Sequence, residues 1–503
     1  MVDTGLIPLA VAIPLGAGFL IPLVPKKAVR VADALAVIAA TGIGAVVAGM
    51  FGLLRSDAEH SIVYAVGGWK PPFGISMVLD SLSWLMLAVI AGVALCSVVY
   101  ATQYMDTYTA RGKFYGLFFL MVAGMCGVVL TGDLFNMYVF MEVAAISSYA
   151  LVAFGCEAEE LEASFKYGVL GSAASFLVLF ALAMLYGRFG TVNLVHLSEK
   201  IHAAPPEAGG VVTFAEILMV AGFGLKAALV PFHAWLPDAH PSAPTPVSAM
   251  LSGVLIKAVG VYSLARMVFN VFGLTPDVSY TLMLVAALSM VGGVLLAVMQ
   301  WDFKRLLAYH SISQIGYVVL GIGLGTPLGV MAGLFHLVNH SVFKSLLFLN
   351  AGAVERATGT RRLDEMGGLS EKMPLTGGTS MVASMSIAGL PPFNGFFSKT
   401  LVILACVEAG RYGFALLAVL GSVLTLASFL KVQKYGFFGD VAERWKNVRE
   451  APVLMSAAML VLAVACLGLS LLVVPGIRDI VLVPAGQVLL AGAKGVTTLA
   501  SAP

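Results

Sequence analysis

Four charged side chains lie inside long apolar stretches of this sequence, where charge is costly. Lys226, Lys257 and Lys399 lie near the middle of such stretches, and Glu142 lies in an equally apolar run. Placing a lysine, arginine or aspartate at the centre of a bilayer costs about 2.5 to 3.5 kcal/mol on insertion scales, so such residues usually serve transport and face a bundle interior. The four residues therefore indicate an ion path through a membrane.

Lys226 lies five residues before Pro231, and we expect Glu142 to be its partner. Burial disfavours the charged form of a lysine, whereas a nearby carboxylate favours it. A carboxylate that moves closer or farther can therefore make the lysine bind or release a proton, and Lys257 in the next stretch could exchange that proton. The alternative is a static ion pair that fixes helix packing. The surplus of central cations over central anions argues against it, since Glu142 is the only acidic residue that we expect deep in a span.

Two histidines and a lysine recur every fourth residue in GLFHLVNHSVFKSLLFLNAG. His336, His340 and Lys344 would share one helix face about 12 Å long. Histidine titrates near neutral pH and can accept or donate a proton, so two stacked imidazoles with bound water could connect Lys257 to Lys399. The spacing also fits two metal ligands, but the nearby carboxylates and cysteines that would complete a metal site are missing.

Three further sites could serve proton uptake or the end of the path. His310 lies near one end of its apolar stretch and is either an uptake site or an interfacial residue. His233, with Asp238 and His240, flanks a proline-rich interruption, where a water-exposed mouth and a helix-cap role are both open. Lys399 follows a second interruption and is either the far terminal of the row or a side chain that reaches toward an interface.

The composition indicates that the main solvent of this chain is lipid. Hydrophobic residues make up 59% of the 503 residues and charged residues only 11%, against about a quarter in soluble domains. The net charge of +2 is spread over loops and gives no indication of nucleic-acid binding. The first apolar run has no preceding positive charge, so we expect a retained first span and not a cleaved signal. The cysteines are single, which disfavours disulfides and metal sites; they are Cys96, Cys126, Cys156, Cys406 and Cys466.

Windows of about 20 apolar residues, the length that a hydrocarbon core of about 30 Å requires, predict fourteen spans. They lie near 5–24, 31–54, 79–101, 114–131, 134–155, 166–187, 211–235, 248–271, 279–300, 306–324, 327–350, 376–409, 412–430 and 452–474. One set of alternate loops holds most of the lysines and arginines, which predicts that these loops are cytoplasmic and that both termini are outside. Lys166 and Arg266 fall within spans and either face inward or reach an interface. Asp80 and Asp133, at external span ends, are expected to be caps or anchors.

Prolines interrupt the seventh span inside KAALVPFHAWLPDAHPSAPTP and the twelfth inside AGLPPFNGFFSK. An offset of five spans reverses the direction of crossing, so spans four to eight and nine to thirteen predict an inverted repeat with a conduction site at its broken helices. We divide the chain accordingly into a three-helix segment (1–113), two five-helix units (114–271 and 279–430) and a last segment with a cytoplasmic loop, a span and a tail (431–503). Turn signals predict a small external hairpin within 55–77.

With these motifs the chain resembles the antiporter-like subunits that respiratory complex I, membrane-bound hydrogenases and Mrp (multiple resistance and pH) cation/proton antiporters share. The similarity covers nearly the whole chain. It is carried by TGDLFNMYVFMEVAAISSYALVAF, FGLKAALVPFHAWLPDAHPSAPTPVSAMLSGVLIKAVGVY, KRLLAYHSISQIGYV, FHLVNHSVFKSLLFLNAG and GLPPFNGFFSK. The resemblance implies an all-α integral membrane fold with about fourteen helices, two inverted five-helix repeats, two broken helices and a central polar axis.

By motif position the resemblance assigns the fifth-span carboxylate to Glu142, the broken-helix lysine to Lys226 and the connecting lysine to Lys257. It assigns the relay histidines to His336 and His340, and the terminal residue to Lys399. Some members have glutamate at this last position. This chain has lysine there, which argues against the complex I subunit of that type. The segment VGGWKPPFGISMVLDSLSWLML is most similar to the D-type subunit of Mrp antiporters. Little sequence follows the last span, so we expect a mid-sized member without a long lateral helix.

The expected function is proton translocation within a hetero-oligomeric complex of a prokaryotic-type cytoplasmic membrane. In an Mrp antiporter, inward proton flow would drive Na⁺ extrusion; in a complex I-like or hydrogenase assembly, a redox module would push protons out. A solitary transporter of an organic solute is a further alternative and would need a midplane solute pocket. A redox enzyme is disfavoured because the sequence has no nucleotide fingerprint, haem pair or cysteine cluster, so we expect no cofactor and other membrane subunits as partners.

Overall fold

The computed structural model describes residues 4–57, 61–69 and 73–492, and this part of the chain is predominantly helical. Its first third begins with two helices and a hairpin. The elements are α1 (Leu6–Leu20), α2 (Val29–Ser56), β1 (Ser61–Ala65), β2 (Ser76–Asp80), α3 (Ser81–Tyr104) and α4 (Arg111–Leu130). The antiparallel pairing of Ser61 with Asp80 confirms the predicted hairpin. Residues 70–72 of its motif lie outside the described residues, as do 1–3 and 493–503.

The middle of the chain contains the first broken helix. The elements are α5 (Leu134–Val152), α6 (Ala158–Phe189), α7 (Leu194–His202), α8 (Gly209–Lys226), α9 (Leu236–Ser242) and α10 (Thr245–Phe272). Helices α4 and α5 approach closely at Gly124, where an added Cβ would lie 2.5 Å from the backbone nitrogen of Ala144. This glycine lets α4 support the part of α5 that carries Glu142.

The second half contains a long central helix and the second broken helix. The elements are α11 (Pro276–Val298), α12 (Phe303–Gly323), α13 (Pro327–Thr358), α14 (Leu369–Lys372), α15 (Pro374–Ala388), α16 (Asn394–Glu408), α17 (Tyr412–Phe437), α18 (Val453–Val473) and α19 (Pro475–Leu490). Helix α13 is buried from Gly329 to Val354. It carries the histidine stripe, which is the helix face formed by His336, His340 and Lys344. The helix is longer than its predicted span of 327–350 and includes Glu355 and Arg356. Helix α19 was expected to be part of the tail.

Both proline interruptions leave backbone carbonyls that polar side chains satisfy. At the first break, Trp235 Nε1 donates to Leu225 O at 3.1 Å. At the second break, Lys399 Nζ donates to Ile387 O at 2.7 Å and Ser422 Oγ donates to Ala388 O at 3.2 Å. These contacts agree with the expectation that carbonyls freed by proline need polar neighbours at membrane depth.

The described residues contain 13 helices that are long and apolar enough to cross a membrane. The predicted twelfth span is not among them because Pro391 and Pro392 divide it into α15 and α16, each of 15 residues. The all-α, multi-pass membrane class is therefore confirmed. The count of fourteen and the inverted repeats remain predictions.

Candidate functional site

The predicted partners Glu142 and Lys226 meet where α5, α6 and the end of α8 converge. Lys226 Nζ lies 3.7 Å from Glu142 Oε1 and 3.5 Å from the Tyr149 hydroxyl. Ser175 of α6 donates to the same carboxylate oxygen. The lysine side chain is 6% exposed and the glutamate side chain 24% exposed. The contact confirms the predicted pairing, and the proton-carrying role of the pair remains a prediction.

Aromatic rings enclose the ion pair on the side of the first break. The Tyr149 ring lies edge-on to Tyr167 at 4.5 Å, and Tyr167 stacks on Trp235 at 4.3 Å. Tyr167, Trp235 and Lys226 line a cavity of about 10 Å³, a volume close to the smallest that holds one water molecule. Tyr149, Tyr167 and Ser175 cannot be identified from the sequence alone, because a hydroxyl on an apolar helix is not by itself a signal of function.

Lys257 is fully buried in a π-helical part of α10, Leu251–Tyr262. Its Nζ donates to Ser252 O at 2.5 Å, and no carboxylate in the described part of the chain pairs with it. Insertions of π-helical turns are frequent at functional sites. The helix packs against the first break at Gly260, where an added Cβ would lie 2.5 Å from Ala227 N. The connecting lysine therefore lies on the helix that contacts the break directly after Lys226.

The predicted stripe on α13 is present, with all three side chains fully buried. The rings of His336 and His340 are nearly parallel, at an interplanar angle of 20° and a centroid distance of 6.3 Å. His336 Nδ1 lies 3.0 Å from Ser398 Oγ and its Nε2 lies 3.2 Å from Gln314 Oε1. Lys344 donates to Leu307 O of α12.

His340 is the member of the stripe without a hydrogen bond, since neither ring nitrogen has a partner among the described residues. A buried polar group without a partner is costly, so each such group calls for a reason, such as an unseen water or a functional role. His340 therefore lies buried on the same face of α13 as His336 and Lys344, and its place in the proton path remains a prediction.

Lys399 is buried at the second break and does not reach toward an interface. Its side chain donates to Ile387 O, and its ammonium lies 4.7 Å from the centre of the Tyr317 ring. The preceding residue, Ser398, contacts His336. The terminal lysine is therefore joined to the histidine stripe through its own helix.

An open polar cleft lies beside the first break, between the starts of α6 and α12 and the short helix α9. Asp238 bridges Lys166 at 3.1 Å and Arg305 at 3.2 Å across it. Its lining continues to Pro241 and Ser242, next to the buried His240. Neither α9 nor α10 has a side-chain N-cap, so the predicted capping role for His233, Asp238 and His240 is wrong. Lys166 is 47% exposed and belongs to the cleft rather than to the interior.

His240 and His233 differ in their surroundings. His240 is fully buried between Trp235 and Phe348, at ring distances of 5.9 and 6.0 Å, and neither of its ring nitrogens has a hydrogen-bond partner within the described ranges. His233 is half-buried in the turn after Lys226. For His240 the sequence left a water-exposed mouth and a helix-cap role open, and the structure buries it between the lining of the cleft and Phe348 of α13.

His310 is fully buried, which makes its interfacial interpretation wrong. Its Nε2 lies 2.8 Å from Ser428 Oγ, and its ring packs on Phe429 at 4.8 Å. It shares helix α12 with Leu307, whose carbonyl binds Lys344. The role of His310 in proton uptake remains a prediction.

The contacts of four other charged residues decide whether the predictions for them hold. Arg266 pairs with Asp80 at 2.5 Å and is buried, so it does not reach an interface. Asp80 and Asp133 accept from Ser83 N and Asn136 N and cap α3 and α5, as predicted. The expectation that Glu142 is the only deep carboxylate is wrong, because α8 contains Glu216, of which one buried oxygen has no partner in the described part.

Two family profiles match the chain. The first, described as NADH:quinone oxidoreductase/Mrp antiporter, TM, matches residues 131–425, and the second, described as NADH-ubiquinone oxidoreductase (complex I), chain 5 N-terminus, matches residues 66–115. In the region of the first match lie all the predicted path residues. No group of three or more His, Cys, Asp or Glu within residues 4–57, 61–69 and 73–492 could hold a metal ion.

Individual relatives cover most of the chain. The N-type subunit of NADH-quinone oxidoreductase from Desulforudis audaxviator is 40% identical over 374 residues, which are 73% of this chain and 74% of the relative. The D-type subunit of the Na⁺/H⁺ antiporter from Alkalihalophilus pseudofirmus is 36% identical over 409 residues, 81% of this chain and 82% of the relative. A chain of the Mrp complex from Dietzia sp. superposes with a TM-score of 0.89 at 29% identity, covering 99% of both chains. The protein therefore belongs to the family of antiporter-like membrane subunits that NADH:quinone oxidoreductases and Mrp antiporters share.

Proposed function

We propose that this chain translocates protons as one subunit of a larger membrane complex, most similar to the D-type subunit of an Mrp Na⁺/H⁺ antiporter. The observation that carries the proposal is the contact of Glu142 with Lys226 at 3.7 Å. A tight, static salt bridge has its charged atoms in direct hydrogen-bond contact, at about 2.7 to 2.9 Å. The longer separation suits a pair that alternates between association and release.

The proposed path runs from this pair through Lys257 and the stripe of His336 and His340 to Lys399. The lysines beyond the pair bind backbone carbonyls and not carboxylates, which leaves them free to lose a proton without stranding a counter-charge. Ser398 and Gln314 hold His336 on both ring nitrogens. The gaps between the polar groups are bridged by water in this proposal.

We propose the cleft at Asp238 as a cytoplasmic mouth, with His240 and His233 behind it. The cleft is polar and open, whereas His240 faces the aromatic ring of Phe348 next to Lys344, which lies 5.6 Å from that ring. His310 provides a second uptake site on the same side. In this orientation the lysine- and arginine-rich loops are cytoplasmic and both termini are outside, in a prokaryotic-type cytoplasmic membrane.

Other membrane subunits are proposed to cover the outer face of α5 and α6. Apolar side chains are exposed there, among them Ile146 at 62% and Phe165 at 73%. Glu142 lies on α5 with its side chain 24% exposed. A carboxylate exposed directly to lipid is unfavourable, so a neighbouring subunit that seals this face would also be able to influence the ion pair.

Two kinds of complex have to be distinguished by experiment, because the matched family includes subunits of both. An Mrp complex couples protons to Na⁺, and a complex I-like or hydrogenase assembly couples them to electron transfer. A solitary transporter of an organic solute is less well supported, since the cavity beside Lys226 has about 10 Å³ and admits about one water molecule.

The test is to purify the intact complex with its natural partners and to reconstitute it in liposomes with an internal pH dye. Adding Na⁺ should change the internal pH if the complex is an antiporter. Co-purifying iron–sulfur or nickel subunits, with proton movement that follows electron transfer, would assign it to the redox class. The absence of proton movement in both assays would contradict the proposed function.

A further inference from the structure

We propose that Tyr149 positions the Lys226 ammonium, and that residue 171 has to be glycine because only glycine leaves room for the Tyr149 hydroxyl. This inference rests on the proposed function, since it names the residues that hold the ion pair ready for proton exchange. It is carried by two independent contacts of one oxygen atom. One joins it to the lysine, and the other is its close approach to Gly171 of α6, where a larger residue would place its Cβ.

The first contact gives Lys226 a second acceptor. Its Nζ lies 3.5 Å from the Tyr149 hydroxyl and 3.7 Å from Glu142 Oε1, so the ammonium is close to both oxygens. The carboxylate oxygen is shared, because it also accepts a hydrogen bond from Ser175. The phenol oxygen has no other side-chain partner in the described ranges.

The two acceptors behave differently when a proton moves. Glu142 loses its negative charge when it is protonated, and its attraction for the ammonium is then lost. The hydroxyl of Tyr149 stays neutral near pH 7, because phenols ionise near pH 10. It therefore retains the lysine at the end of α8 while the carboxylate contact breaks and re-forms.

The second contact explains the glycine. A Cβ added to Gly171 would lie 1.9 Å from the Tyr149 hydroxyl and 2.7 Å from its Cζ, so no other residue type fits without moving the ring. Such closeness has a specific use here, since other glycines of α6 lack it. Around Gly187, for example, an added Cβ would meet nothing within 4 Å.

The tyrosine ring cannot easily move aside. It lies edge-on to Tyr167, whose hydroxyl is 3.0 Å from Ser148 Oγ. Tyr167 in turn stacks on Trp235, which binds the carbonyl of Leu225 beside Lys226. The packed rings of Tyr149, Tyr167 and Trp235 thus fix the position of the Tyr149 hydroxyl relative to the first break, as a positioning role requires.

The experiment compares Tyr149→Phe and Gly171→Ala in the intact reconstituted complex, with Tyr186→Phe and Gly187→Ala as matched controls on α6. Phenylalanine keeps the ring packing, so assembly should be unchanged. We expect proton transport to fall about tenfold in both test variants, the effect of losing one hydrogen bond to a charged group. The alkaline limb of the transport–pH profile should move to lower pH in Tyr149→Phe, because the protonated amine has lost an acceptor. Both controls should match the wild type.

A double variant separates positioning from general packing damage. If both residues act through the same hydroxyl, Tyr149→Phe/Gly171→Ala should transport no worse than Gly171→Ala alone. Multiplied losses, or a wild-type rate and pH profile in Tyr149→Phe, would overturn the inference. Glu142→Gln in the same preparation reports on the proposed function separately, since full transport in that variant would refute the ion-pair path itself.

Discussion

Ser398 joins the second broken helix to the central histidine stripe, because its Oγ lies 3.0 Å from His336 Nδ1. The hydroxyl is buried and also lies 3.3 Å from Asn394 O, one turn earlier in α16. Its neighbour in sequence is Lys399. The terminal lysine and the nearest histidine are therefore held in a fixed relation by one short side chain.

Replacing Ser398 by alanine should slow proton transport about tenfold without loss of assembly, since it removes one hydrogen bond that orients His336. The measurement is the rate of internal pH change in proteoliposomes that contain the intact complex. Ser313→Ala is the control, because Ser313 is equally buried on α12 but donates to Met290 O. Equal rates in the two variants would argue against this link.

Glu142→Ala and Lys226→Ala should each abolish translocation while the complex still assembles. The reason is that both partners of a switching pair are needed, whereas at 3.7 Å the two charges are not held in the close contact of a tight salt bridge, so helix packing does not depend on them. Transport and assembly are measured on the same purified complex, the latter by size-exclusion chromatography.

The static alternative predicts a different result for the double variant Glu142→Gln/Lys226→Gln. A pair that only fixes packing should be replaceable by two neutral, hydrogen-bonding amides, and transport would then persist. A carrier pair should leave the double variant assembled but inactive. Wild-type transport in the single variants would refute the pairing altogether.

Much of this arrangement could be predicted from the sequence, because charge in an apolar run is a strong signal and the four-residue spacing fixes a helix face. The pairing of Glu142 with Lys226 and the stack of His336 on His340 are examples. Tyr149 and Ser398 could not be predicted in this way. Their significance comes from contacts between helices distant in sequence, and hydroxyls are common in membrane helices for packing reasons.

The errors have equally specific causes. His310 was open to an interfacial interpretation because hydropathy locates the end of a span only within several residues, and the structure buries it against Ser428. Lys166 is predicted at the start of a span. Helix α6 begins earlier than predicted, at Ala158, so the lysine lies in the polar first turns of the helix. Glu216 lies in the first half of the seventh span, whereas the proline break that marks this span in the sequence lies in its second half.

His340→Phe should block proton transport while leaving thermal stability equal to or above that of the wild type. The native imidazole is buried with both ring nitrogens lacking a partner in the described part of the chain. Phenylalanine has a ring of similar size and no nitrogen that needs a hydrogen-bond partner, so it removes the proposed proton carrier without adding a buried unsatisfied group. Thermal unfolding and transport are measured together, with His202→Phe as a control outside the stripe. Transport at the wild-type rate would show that the path does not pass through His340.

Arg266→Met should lower the stability of the complex without lowering transport per assembled complex. Arg266 and Asp80 form a buried pair at 2.5 Å, and Asp80 also caps α3, so the pair holds helices together away from the proposed path. Removing one partner of a buried pair typically costs about 3 to 5 kcal/mol, because the other charge is left uncompensated. Asp80→Asn/Arg266→Met should recover much of that loss, since asparagine keeps the cap and no charge remains. Stability is followed by thermal unfolding in detergent. Lost transport in a fully assembled Arg266→Met complex would instead place this pair in the ion path, which would contradict the separation of structural from conducting charges.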